Sequence, residues 1–122
     1  MTEESRGAVG PVDSVLAALA DPTRRQLLDQ LADQGEATAT TLAAALPVSR
    51  QAVVKHLAVL DAAGLVSGSR VGREMRYVVR PAALDATARW MATLAAEWDR
   101  QLARIKRVAE SEAGALRWED GS

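Results

Sequence analysis

Leu46-Pro47-Val48-Ser49-Arg50-Gln51-Ala52-Val53-Val54-Lys55-His56-Leu57-Ala58-Val59-Leu60-Asp61-Ala62-Ala63-Gly64-Leu65-Val66 is the stretch from which the fold follows. Pro47 breaks the short helical run Thr40 to Leu46. Ser49 is then a good N-cap for a helix reaching Ala63, where Gly64 stops it. Two short helices joined through Leu46-Pro47-Val48 make a helix-turn-helix. At ~100° per residue, Val53, Leu57 and Leu60 fall on one side of the second helix and must face a core. Gln51, Lys55, Ala58 and Ala62 fall on the opposite side, with Val54 at its edge. Arg50 sits in the first turn, where the helix terminus already favours phosphate. An amide, a cation and small residues on one outward face are what a helix needs to enter a major groove. The same face would equally serve as a plain solvated surface.

Downstream of Gly64 the hydrophobic period changes from helical to alternating. Leu65 to Val71 and Glu74 to Val79 read as two strands, with Gly72 at the tip of the hairpin. Arg70, Arg73 and Arg76 cluster around that tip. An arginine-bearing ribbon beside a groove-reading helix suits phosphates or a narrow minor groove. Upstream, Val12, Val15, Leu16 and Leu19 recur at helical spacing. Asp21 and Pro22 then cap and open a second helix with Leu27, Leu28 and Leu31 on its apolar face, ended by Gly35. With the long helix that Pro81 opens, the expected fold is mainly α, about five helices and a two-stranded β-hairpin. The ordered domain is expected over residues 12–110, between flexible tails at 1–11 and 111–122.

The whole chain, 122 residues, carries a formal charge of only −1. The distribution is uneven: Ser49 to Arg80 holds six basic residues against Asp61 and Glu74, so its excess charge is positive. One face is thereby biased toward a polyanion.

Several motifs together resemble the ArsR family of bacterial winged-helix repressors. Ala17-Ala18-Leu19-Ala20-Asp21-Pro22-Thr23-Arg24-Arg25-Gln26-Leu27-Leu28 resembles the opening of that family's second helix. Leu46 to Val66 is similar to its recognition helix, and Gly72-Arg73-Glu74-Met75-Arg76-Tyr77 to its wing. The resemblance spans roughly residues 12 to 108. It implies a winged helix-turn-helix homodimer that binds an imperfect inverted repeat in double-stranded DNA and blocks transcription. The DNA-contact positions it implies are Ser49, Arg50, Gln51, Val54, Lys55 and His56 in the helix, and Arg70, Arg73 and Arg76 in the wing. Val54 departs from the family, where a small hydroxyl residue is frequent; a thymine methyl is the contact it favours. His56, the single histidine, has three readings at this point: a hydrogen-bonded residue where the helix packs, a phosphate contact, or a pH or metal role, for which one histidine without a clear partner is a poor site.

Many family members sense metals through cysteine pairs or carboxylate–histidine sites. This chain has no cysteine. The resemblance puts Thr38 and Thr40 at the thiolate positions, and neither is a soft ligand. On the last helix Asp85 and Glu97 lack a histidine partner. No metal and no cofactor are expected; an inducer, if there is one, is a small molecule or protein of unknown identity.

Leu84, Ala88, Met91, Ala95, Trp98, Leu102, Ile105 and Ala109 follow a 4-3 spacing along the last helix, a heptad seam. About 28 residues extend about 42 Å, more than a small domain covers alone. A homodimer packed through Leu84, Ala88, Met91, Ala95, Trp98, Leu102 and Ile105, together with the first helix, is the expectation. Two-fold symmetry would set two recognition helices about 34 Å apart on a pseudo-palindromic site.

Other classes fare worse. No nucleophile–base pair, glycine-rich phosphate loop or metal triad is present, so an enzyme is not expected. No apolar run approaches the ~18 residues of a membrane span, and the acidic start lacks a secretory h-region; a cytoplasmic location is expected. The remaining rival is a winged-helix adaptor that binds protein instead of DNA.

Overall fold

The computed structural model describes the backbone of residues 10–121 and the side chains of residues 10–113. The order of elements is α1 (Pro11–Leu19), α2 (Pro22–Gln34), β1 (Ala37–Thr38), α3 (Ala39–Ala45), α4 (Arg50–Ala62), β2 (Val66–Val71), β3 (Glu74–Val79) and α5 (Pro81–Gly121). The chain is mainly helical, with a winged helix-turn-helix arrangement. Two units are distinguished, one reaching Thr87 and one running from Ala88 along α5.

In the first unit, the apolar positions expected on α1, α2, α3 and α4 meet in one core. Val15, Leu27, Leu31, Leu42, Val53, Leu57 and Leu60 are all buried, together with Leu65 and Val66 at the entry to β2. Each of these leucines contributes ~1.5–3 kcal/mol by leaving water. The helix boundaries are chemically marked. The Asp21 carboxylate accepts from the Thr23 N–H at 2.8 Å, and the Ser49 hydroxyl accepts from the Ala52 N–H at 3.1 Å. Thr38 and Thr41 form a reciprocal capping box at the start of α3. Gly35 and Gly64 adopt φ of 80° and 78°, conformations that let α2 and α4 end abruptly.

The sheet has three antiparallel strands in the order β1-β3-β2, not the two expected. β2 and β3 form the hairpin, with Ser69 opposite Arg76 and Arg70 opposite Met75. β1 adds Ala37 opposite Tyr77 and Thr38 opposite Arg76. Two residues are too few to display a strand period, and their partner lies far along the chain, so no local signal announces them.

The last helix also differs. The spacing ends it near Ala109, whereas the backbone stays helical to Gly121. Alanine, glutamate, leucine and arginine dominate the added turns, and Gly114 in their interior costs only ~1 kcal/mol. The expected tail at 111–122 therefore begins within a helix, and its side chains from 114 lie outside the described residues. The expected N-terminal tail lies outside them too, except for Gly10 and Pro11. No helix among the described residues is long and apolar enough to cross a membrane.

Candidate nucleic-acid interface

The outward face of α4 is built by its inward one. Because Val53, Leu57 and Leu60 are fixed in the core, Arg50, Gln51, Val54 and Lys55 are exposed on the other side. Val54, an aliphatic side chain left 40% exposed, is unusual for a position that a polar residue could fill without cost. Ser49 is committed to its capping bond.

The strand pleat decides which hairpin residues join α4. Cross-strand partners share a face, so Arg70 with Met75 and Gly68 with Tyr77 lie on one side of the sheet. Arg70, Met75 and Tyr77 border a cleft of about 360 Å³ that Arg50, Val54, Thr40 and Arg73 also line. Three guanidinium-bearing residues from three segments therefore converge on one concavity, with Glu74 the single acid among its lining. Gly68 is required here: an added Cβ would lie 2.9 Å from the Tyr77 ring. Gly72 at the tip has φ 64°, as a tight hairpin demands.

Arg50 does not swing freely over this cleft. Its Nε donates to the Thr40 hydroxyl at 3.2 Å, which ties the first turn of α4 to the first turn of α3. Thr40 is a site residue to which no sequence pattern points; only folding brings it to Arg50, and no spacing rule signals the pair.

Arg76 is separated from the other arginines. It lies opposite Ser69 and Thr38, on the other side of the sheet. Its guanidinium pairs with Glu36 at 3.2 Å and with Glu74 at 3.5 Å.

His56 is half-buried on the flank of α4. It faces the start of α2. The Thr23 N–H holds the Asp21 carboxyl below its usual pKa against the opposing effect of desolvation, and the charges of Arg24 and His56 add to the lowering. Arg24 also donates to the Ala18 carbonyl at 2.7 Å, closing the end of α1.

Of the expected seam, Leu84 is partly buried against the core of the first unit. In the second unit Met91, Trp98, Leu102 and Ile105 are all more than half exposed, an apolar row along one helix.

Comparison with known proteins agrees with this architecture. A helix-turn-helix domain model matches residues 19–68. An ArsR-like transcriptional regulator from Rhodococcus sp. RHA1 superposes with a TM-score of 0.73 at 49% identity, over 81% of this chain and 92% of that one. The HTH-type transcriptional regulator Rv2034 of Mycobacterium tuberculosis is 38% identical over 100 residues, 82% of this chain and 90% of its own. The transcriptional repressor SdpR of Bacillus subtilis is 31% identical over 91 residues, 75% of this chain and the whole of its own.

Proposed function

We propose, since the chain belongs to the ArsR family of winged helix-turn-helix transcriptional regulators, that this DNA-binding regulator is a dimeric repressor of a pseudo-palindromic operator. It is not an enzyme. The cleft joining Arg50 of α4 to Arg70 and Arg73 of the hairpin carries the reading. A single DNA backbone crossing it would meet cations from both elements, while Gln51, Val54 and Lys55 reach base edges. Ser49 orients this helix terminus toward phosphate, and His56 stands at the margin of the contact. We assign DNA binding and dimerisation to residues 12–110, with the protein working in the cytoplasm.

Dimerisation is supported by the exposed row Met91, Trp98, Leu102 and Ile105, since a heptad-spaced apolar stripe is costly in water. We further propose that regulation does not depend on a metal. Thr38 and Thr40 are engaged in the α3 capping box and in the bond to Arg50, and neither side chain is a soft donor. Any inducer is then a small molecule or a protein.

Fluorescence anisotropy against DNA from upstream of its own gene, with a scrambled duplex and a salt series, tests the proposal. Tight, specific and steeply salt-dependent binding is expected. Equal weak binding to that DNA, to the scrambled duplex and to every duplex in a random pool would overturn it in favour of a protein-binding adaptor.

A further inference from the structure

Arg76 differs from the other wing arginines in two independent respects. By the register of the sheet it shares a face with Ser69 and Thr38, whereas Arg70, Met75 and Tyr77 share the other; Thr38 and Glu74 also border the cleft, but Arg76 does not. Its guanidinium is also occupied, by Glu36 at 3.2 Å and Glu74 at 3.5 Å. Glu36 immediately precedes β1, whose pairing to β3 consists of only two residue pairs, Ala37 with Tyr77 and Thr38 with Arg76. So short a ladder is weak alone. The ion pair therefore reinforces the join between the wing and the segment that leads through Thr38 and Thr40 to the helix-turn-helix.

We infer that Arg76 is a positioning residue: paired with Glu36, it fixes the wing against β1 and so sets the angle at which Arg70 and Arg73 meet DNA, without contacting DNA itself. This rests on the DNA-binding reading above. It predicts a sign that a contact role reverses. If Arg76 were a phosphate ligand, removing the competing Glu36 would free it and strengthen binding. If the pair positions the wing, removing either partner weakens binding.

The test uses a duplex selected from a random pool by the wild-type full chain, with affinity read by anisotropy across a salt series. Glu36→Gln and Arg76→Gln are each expected to weaken binding about two- to fivefold, the range of an exposed ion pair. The double variant should be no worse than either alone. Their slope of log affinity against log salt stays at the wild-type value, while Arg73→Gln, a contact variant, lowers its magnitude by about 0.9. Exchanging the charges, Glu36→Arg with Arg76→Glu, should restore binding; a phosphate-contact role would instead be abolished by it. Wild-type or tighter binding by Glu36→Gln, or a slope loss of about 0.9 for Arg76→Gln, overturns the inference while leaving DNA binding intact. Failure of the wild-type chain to select any duplex overturns both.

Discussion

The Arg50 guanidinium and the Thr40 hydroxyl, 3.2 Å apart, join the two helices of the helix-turn-helix across its turn. The bond orients a cation that sequence alone leaves on a flexible stem, over a cleft that the wing also lines. Pre-ordering a long side chain lowers the entropy lost when it meets a ligand. Thr40→Val removes the acceptor at little cost in volume. Operator affinity should fall about threefold with the salt slope unchanged, because the charge remains; Arg50→Ala should instead reduce the slope by about 0.9. Anisotropy titrations at several salt concentrations separate the two.

Arg70 and Arg73 enter the cleft from the wing. Each alanine substitution should lower affinity on specific and scrambled duplexes alike and remove about 0.9 from the slope. Gln51→Ala should behave differently, costing ~1–3 kcal/mol on the specific duplex with little change on the scrambled one. A competition assay with both duplexes reads the difference.

Two substitutions probe how α4 is held. Ser49→Ala removes the cap on Ala52 and should cost about 1 kcal/mol in urea unfolding. Leu57→Ala, at a wholly buried position, should cost ~2–5 kcal/mol. Both should lower the unfolding midpoint, and the ratio of the losses distinguishes a local cap from the shared core.

The stability of the α1–α2 junction should depend on acid. The Asp21 pKa is lowered, mainly by the Thr23 N–H. A carboxylate with a depressed folded-state pKa stabilises the fold fully above its unfolded value of about 4, and that contribution is lost as pH falls through the lower, folded value. The stability gap between wild type and Asp21→Ala should therefore be wide near neutrality and narrow below about pH 4. Urea melts between neutral and strongly acidic pH measure this directly.

Leu102 is 62% exposed on the distal part of α5. Leu102→Asp should leave the thermal midpoint of the first unit unchanged at infinite dilution and shift the chain from dimer to monomer in sedimentation equilibrium. Operator affinity should collapse with it, since two half-sites would no longer be bound together.

Local signals along the chain suffice for the helical elements of the first unit, their core faces and the hairpin. Asp21-Pro22, Pro47-Val48-Ser49 and Gly64 state their roles locally, through caps and breakers, and Val53, Leu57 and Leu60 repeat at a period that only a helix satisfies. The outward exposure of Gln51 and Lys55 follows from that same period. What tertiary structure alone decided is how separated segments meet. β1 exists because β3 offers it an edge. Thr40 becomes a site residue because α3 folds back against α4, and the three wing arginines divide between two faces because the pleat places Arg70 beside Met75 but Arg76 beside Ser69. Clustering of Arg70, Arg73 and Arg76 along the chain carries no face information until a strand register is set, and that register is a long-range property of the sheet.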